Sequence, residues 1–200
     1  MYNLYIKRFL SFIISLIAIL FLIPVFFIIM ILIKLDSKGP VFFIQKRIGK
    51  NKTYFNIIKF RTMYVDTPED IPTHLLQNPD VFITKVGKFL RKTSLDELPQ
   101  LFNILKGDMS FIGPRPALWN QYDLIEERDL YHANNIRPGL SGWAQINGRD
   151  ELEIDVKAKL DGYYVEHMSF LFDIKCFFGT FLSVLRRDGV VEGGTGNLGD

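Results

Sequence analysis

The sequence predicts a helix-rich α+β protein, in which an N-terminal membrane anchor is joined to a small cytoplasmic domain. Three observations predict this class: an uncharged apolar run near the N-terminus, two β-rich segments around a short polar turn, and later segments with helical apolar spacing. Two hundred residues suit one domain with an attachment. We expect a membrane anchor over 1–35, a cytoplasmic domain over 36–187 and a flexible C-terminal tail over 188–200.

Net charge and cysteine content argue against some classes of function for this protein. The formal net charge of +2 and the lack of a long basic run with interleaved aromatic residues do not favour nucleic-acid binding. A single cysteine, Cys176, excludes a disulfide within the chain and fits a reducing compartment.

The apolar run from Phe9 to Ile33 predicts a membrane anchor. It contains 25 residues without a charge, which as a helix would measure about 37 Å against a bilayer core of about 30 Å. It is too long for the apolar part of a signal peptide, and no small-residue cleavage site follows it.

Two topologies of this anchor remain open from the residues alone. Lys7 and Arg8 precede the run and several lysines follow it, so both flanks carry the charge typical of the cytoplasmic side. Pro24 removes one helical hydrogen bond and could divide the run into a re-entrant hairpin. It could equally bend a helix that crosses the membrane. Both topologies leave the rest of the chain in the cytoplasm.

The remaining elements are predicted in chain order. Residues 41–63 form two β-rich runs around Gly49–Lys52, which is typical of a β-hairpin. A polar loop with three prolines covers 66–80. Helical spacing then predicts helices over 81–92, 95–105 and 119–134, and one or two over 153–184, some of them amphipathic and at the membrane interface; the Gly- and Pro-rich stretches 108–116 and 137–150 are expected to be loops.

The stretch SLDELP, residues 94–99, holds two adjacent carboxylates. Ser94 and Glu97 have the spacing of a helix capping box, and acids in a first helical turn are common. Pro99 favours capping at Asp96 instead, since that would place the proline where no helical donor is lost. Basic residues on both sides and two later loops rich in Gly, Pro and Arg favour chemistry on a phosphate, with a divalent cation.

Three long motifs resemble the bacterial sugar transferases, the monotopic phosphoglycosyl transferases. They are KFRTM at 59–63, LDELPQLFNILKGDMSFIGPRP at 95–116 and RPGLSGWAQINGR at 137–149. The resemblance covers essentially the whole chain, and its length is similar to that of minimal members, such as those that initiate N-linked glycan assembly in Campylobacter-like bacteria. It implies transfer of a phosphosugar from a UDP-sugar to undecaprenyl phosphate, with release of UMP and a requirement for Mg²⁺.

The resemblance also implies roles for individual residues. Asp96 and Glu97 match the family's catalytic pair, with Asp96 as covalent nucleophile and both as candidate metal ligands. The family's anchor is re-entrant and usually broken at Ser-Pro; here Ile23 replaces the serine, so Pro24 is the expected membrane break. Matches to the family or weaker inference from the loops give these candidates for substrate or phosphate binding: Lys59, Arg61, Arg115, Arg137, Gln145, Arg149, Asp161 and Asp173.

The same resemblance also implies a cellular location and partners for the protein. The protein would act on the cytoplasmic face of the bacterial inner membrane, with the lipid bilayer and downstream glycosyltransferases as partners, in polysaccharide biosynthesis or protein glycosylation. Two alternatives are kept: a membrane-bound, metal-dependent phosphohydrolase that uses the same carboxylates with water, and a non-enzymatic membrane adaptor in which they only cap a helix.

Overall fold

The computed structural model describes residues 2–67, 79–148 and 152–186. A short π-helix, Tyr2–Ile6, leads into the first of seven α-helices in this part of the chain. The helices are α1 (Lys7–Asp36), α2 (Lys85–Thr93), α3 (Gln100–Lys106), α4 (Tyr122–Asp129), α5 (Trp143–Ile146), α6 (Ile154–Glu166) and α7 (Phe170–Arg186), and the strands are β1 (Phe42–Ile48), β2 (Tyr54–Phe60), β3 (Ser110–Ile112) and β4 (Gly139–Ser141). The helix-rich α+β class is confirmed. Most of the predicted 66–80 loop and all of the 188–200 tail lie outside the described residues.

Helix α1 is long and apolar enough to cross a bilayer. Pro24 lies within it and the helix is continuous there, so the predicted break is not seen as an interruption of the helix. One face of α1 is buried against the domain, whereas the other exposes large apolar side chains such as Phe21 and Leu35, each 80% exposed. Such an apolar surface is typical of contact with lipid.

Both ends of α1 are held by the globular domain. At the start, Lys7 forms an ion pair of 2.9 Å with Asp173, and Arg8 donates to the carbonyl oxygens of Ile104 and Leu105 in the last turn of α3. At the other end, Asp36 accepts the backbone N–H of Val86 at 2.9 Å, at the start of α2. A straight helix that crossed the bilayer would have its ends on opposite sides, so these contacts favour a helix that enters and leaves at one face.

The predicted β-hairpin is confirmed. Strands β1 and β2 pair antiparallel, with Phe42 opposite Phe60 and Ile48 opposite Tyr54. The turn places Asn51 and Lys52 at positive φ. Phe60 joins α1 and α2 in one core cluster with Phe26 and Leu90, so the KFRTM motif, which begins at the end of β2, is anchored in the core.

The prediction of loops over 108–116 and 137–150 was wrong in part. Strands β3 and β4 come from these two stretches and pair parallel, with Ser110 opposite Gly139 and Ile112 opposite Ser141. Each strand has only three residues, which is too few for an alternating pattern to appear in the sequence. The pairing brings the GPRP segment beside the start of the RPGLSGWAQINGR motif.

Helix α2 approaches the KFRTM segment so closely that one position requires glycine. A Cβ atom at Gly87 would lie 2.0 Å from the carbonyl oxygen of Thr62, a backbone atom that has little room to move. We expect Gly87→Ala to lower the free energy of unfolding by about 2 kcal/mol, because the added methyl forces α2 away from Thr62. Thermal unfolding of the detergent-solubilised protein measures this decrease.

Gly179→Ala is the matched control for that substitution. Its Cβ would lie 2.8 Å from Cδ1 of Ile146, which is the end of a flexible side chain, and alanine is the better helix former. We expect little change in stability for this variant. Equal unfolding temperatures for the Gly87 variant and the wild-type protein would show that α2 does not lie as closely on Thr62 as described.

Candidate active site

The two carboxylates of SLDELP lie on a single 3₁₀ turn, Leu95–Glu97, between α2 and α3. Ser94 ends α2 at φ 56° and its side chain caps neither this turn nor the following helix. The N-cap of α3 is Pro99, so the predicted capping box was wrong, as was capping by Asp96. The carboxylates are therefore not explained by helix capping.

Leu95 and Leu98 explain how the turn is held. Both pack against the core cluster that contains Phe26, Ile29 and Ile33 of α1, and Phe102 packs edge-to-face on Phe26 at 5.7 Å. The apolar side chains of this stretch therefore contact the anchor helix α1. The carboxylates consequently sit directly beside the membrane helix.

Two cations from distant parts of the chain meet at Glu97. Lys59 of β2 donates to Oε1 at 2.8 Å, and Arg115 of the GPRP segment donates to the same oxygen at 3.0 Å. Burial on its own would raise the pKa of Glu97, but Lys59 and then Arg115 outweigh it and hold the pKa well below its ordinary value. The Glu97 carboxylate therefore favours its charged form and holds the side chains of Lys59 and Arg115 together at one oxygen.

Asp96 has the opposite electrostatic environment. Its side chain is buried, with 9% of the residue exposed. Burial raises the pKa of Asp96 above its ordinary value against the attraction of Lys59, and the neighbouring Glu97 charge adds to the increase. A carboxylate that is poorly stabilised by its surroundings is a better nucleophile than one held in an ion pair. The two adjacent carboxylates therefore differ: the pKa of Asp96 is raised by burial, whereas that of Glu97 is lowered by its two cationic partners.

Arg91 is a further member of the site that sequence reasoning treated only as a basic neighbour. It lies in the last turn of α2, where its Nε donates to Oγ1 of Thr62 at 2.9 Å, and its charge acts on Asp96. Its position five residues before Asp96 gives no periodic signal, because Ser94 turns the chain between them. The described site is therefore Asp96 and Glu97 with Lys59, Arg91 and Arg115.

Four other residues predicted to bind substrate or phosphate form contacts within the protein. Arg61 donates to the carbonyl oxygens of Ser37 and Lys38 just after α1, and Arg137 donates to that of Gly107 after α3. Asp161 pairs with Arg128 at 2.6 Å, and Asp173 pairs with Lys7. These contacts hold the four side chains within the fold, and their predicted binding of substrate or phosphate stays a prediction.

The last two candidates lie in or near the RPGLSGWAQINGR motif. Gln145 is buried in α5, and within the described part of the chain neither atom of its amide has a hydrogen-bond partner. Its predicted contact with the base or sugar stays a prediction. Arg149 lies outside the described residues.

The donors at the site fit a magnesium ion that is shared with a substrate. Among the described residues no group of three or more His, Cys, Asp or Glu side chains could hold a metal. Mg²⁺ commonly takes one or two carboxylates and completes its shell with phosphate oxygens and water. Asp96 and Glu97 both offer carboxylates, and Oε1 of Glu97 accepts from Lys59 and Arg115.

The family model described as "Bacterial sugar transferase" matches residues 2–187. The chain belongs to the bacterial sugar transferase family. The resemblance found from the sequence motifs is thus confirmed. The match includes α1 as well as the domain that carries Asp96, so the anchor and the candidate site belong to one family unit.

Relatives within the bacterial sugar transferases differ in length and in the sugar that they are named for. The chain is 41% identical over 160 residues to the uncharacterized sugar transferase EpsL of Bacillus subtilis, covering 80% of this chain and 77% of that protein. It is 40% identical over 190 residues to the UDP-N-acetylgalactosamine-undecaprenyl-phosphate N-acetylgalactosaminephosphotransferase of Aeromonas hydrophila (92% and 45%). It is 42% identical over 187 residues to the UDP-glucose:undecaprenyl-phosphate glucose-1-phosphate transferase of Escherichia coli (89% and 40%). The chain thus spans less than half of the latter two relatives.

Proposed function

We propose that this protein transfers a sugar 1-phosphate from a UDP-sugar to undecaprenyl phosphate, as the first membrane step in assembly of a glycoconjugate. The observation that carries the proposal is the pair of unlike carboxylates: Asp96 is buried and its pKa is raised by that burial, while Glu97 forms ion pairs with Lys59 and Arg115. The names of relatives that act on undecaprenyl phosphate support the same reaction.

The reaction proceeds in two displacements at one phosphorus atom. A carboxylate oxygen of Asp96 attacks the sugar-bearing phosphorus of the UDP-sugar, the bond from that phosphorus to the bridging oxygen breaks, and UMP leaves. A phosphate oxygen of undecaprenyl phosphate then attacks the same phosphorus and displaces the Asp96 carboxylate. The products are UMP and undecaprenyl diphosphosugar, and Asp96 is regenerated for the next turnover.

The cations of the site oppose the repulsion between the attacking carboxylate and a diphosphate. Two unit charges about 4 Å apart repel by roughly 4 kcal/mol at an effective dielectric of 20. Lys59, Arg91 and Arg115 all act electrostatically on Asp96, and Glu97 holds the first and last of them in place. When bound, Mg²⁺ would neutralise further charge on the diphosphate, with the carboxylates of Asp96 and Glu97 as the ligands that this chain offers.

The position of the site suits a lipid acceptor. The 3₁₀ turn packs on α1, both ends of which are held by the domain. Helix α7 also presents an apolar face, which includes Leu171 at 76% and Phe178 at 62% exposed and fits the membrane interface. We therefore place α1 as a re-entrant helix at the cytoplasmic face of the inner membrane, where the acceptor phosphate lies at the height of the headgroups.

The proposal is tested by UMP release across a panel of UDP-sugars, with the full chain in nanodiscs and undecaprenyl phosphate as acceptor. The panel covers glucose, galactose and their N-acetylated amino forms, because relatives are named for different sugars. We expect one or a few donors to give equal amounts of UMP and lipid-linked sugar phosphate, and EDTA to stop the reaction. Free sugar phosphate without lipid product would instead identify a phosphohydrolase, and no UMP from any donor would support an adaptor.

A further inference from the structure

A buried ion pair lies behind the GPRP segment and outside the site described above. Arg128 of α4 is 3% exposed and Asp161 of α6 is 1% exposed. Nε and Nη2 of Arg128 donate to Oδ2 of Asp161 at 2.8 and 2.6 Å. The third arm of the guanidinium, Nη1, donates to the backbone carbonyl oxygen of Arg115 at 3.0 Å. The ion pair is thus connected to the backbone of Arg115, whose side chain pairs with Glu97.

The same segment is held at each of four successive carbonyl groups. The carbonyl oxygen of Pro114 accepts the N–H of Gly139, and that of Ala117 accepts the N–H of Ile48. Between them, the carbonyl oxygens of Arg115 and Pro116 accept from the guanidinium groups of Arg128 and Arg47. Prolines on both sides of Arg115 have no N–H to donate, so the segment is fixed mainly through its carbonyl groups.

Stability alone does not account for this ion pair. Removing two charges from water is costly, and apolar side chains of similar volume often serve a core as well or better. Oδ1 of Asp161 is also buried without a hydrogen-bond partner among the described residues, which adds to the cost. A guanidinium held on two arms, by contrast, aims its third arm in a fixed direction.

We propose that Arg128 and Asp161 are positioning residues for the transfer reaction, which hold the Arg115 backbone so that its side chain reaches Glu97 and the substrate phosphates. The inference rests on the proposed function. Asp161 then acts by holding Arg128, and not by contact with the substrate. Arg128, which lies outside the three sequence motifs, becomes a residue on which the rate of transfer depends.

Arg128→Lys is the first test. A lysine keeps the charge toward Asp161 but lacks the fork that reaches Asp161 and the Arg115 carbonyl together. We expect UMP formation to fall by about tenfold or more, because a misplacement of about 1 Å at a reacting group has effects of that size. The assay uses the UDP-sugar that gives most UMP in the panel. The control is Lys52→Gln, which breaks an exposed ion pair with Asp129, the neighbour of Arg128 on α4, and we expect it to leave UMP formation unchanged.

A double-mutant cycle with Arg115→Ala separates positioning from general damage. If Arg128 acts through Arg115, adding Arg128→Lys to the Arg115→Ala protein changes the remaining rate by less than about twofold. An equal fold-loss in both backgrounds would overturn the proposal. A wild-type protein that forms no UMP would instead refute the proposed function and not this inference.

The double variant Arg128→Met with Asp161→Leu tests the same point without leaving an unpaired buried charge. We expect its unfolding temperature to equal or exceed that of the wild-type protein, while UMP formation falls as in Arg128→Lys. Stability and activity would then move apart, which a merely structural role does not predict. Wild-type activity in this variant would contradict a positioning role for the pair.

Discussion

Asp96→Asn is expected to abolish transfer, with a loss of at least about 10³-fold in UMP formation, as is usual when a covalent nucleophile is removed. Asparagine keeps the size of the side chain but cannot form and release an acyl phosphate. Because burial disfavours the charged form of Asp96, we expect the neutral amide to leave the stability of the folded protein unchanged or to increase it. The measurement is release of labelled UMP and of lipid-linked product at several enzyme concentrations.

The covalent step has a readout that does not need the acceptor. Wild-type protein mixed with labelled UDP-sugar alone should release about one UMP per active site and retain the labelled sugar phosphate in an acid-labile adduct. The Asp96 variant should do neither, whereas Asp123→Asn, at an exposed position in the first turn of α4, should behave as wild type. An adduct that forms at the normal rate without the Asp96 carboxylate would refute the covalent route.

The β-hairpin and the location of the site could be predicted from the sequence because both are encoded locally. The turn at Gly49–Lys52 separates two runs that are each complete within a few residues. Asp96 and Glu97 are adjacent, and the motifs around them are long enough to identify the family. Lys59 and Arg115 also lie in these motifs, but their shared contact with Glu97 depends on the folded geometry and could not be predicted from the sequence.

The contact partners of Asp161 and Asp173 could not be predicted because those partners are distant in sequence. Asp161 meets Arg128 across 33 residues, and Asp173 meets Lys7 across 166. Neither spacing leaves a periodic trace, so family position alone suggested that these acids bind substrate. The parallel pairing of β3 and β4 was missed for the same reason, since each strand is too short to show a pattern without the other.

Breaking the ion pair between Lys7 and Asp173 is expected to have the largest effect on stability. Their side chains are 7% and 13% exposed, and Asp173 also accepts hydrogen bonds from the hydroxyl groups of Tyr2 and Tyr164. Asp173→Asn would leave the Lys7 ammonium buried without a counter-charge, which costs about 3–5 kcal/mol. Thermal unfolding in nanodiscs measures the decrease in stability, and Lys159→Gln, which breaks the exposed pair with Asp155, should change the unfolding temperature little.

The same variant should also affect the anchor, because Lys7 holds the first turn of α1 on the domain. Once this ion pair is broken, the N-terminal end of α1 is free to leave the face at which Asp36 remains bound to α2. A cysteine placed at Tyr5 in a Cys176→Ser background should then react, in part of the molecules, with a membrane-impermeant reagent added on the side of the membrane opposite the domain. Unchanged one-sided labelling together with wild-type stability would mean that the hydrogen bonds from Arg8 to Ile104 and Leu105 suffice to keep both ends of α1 at one face.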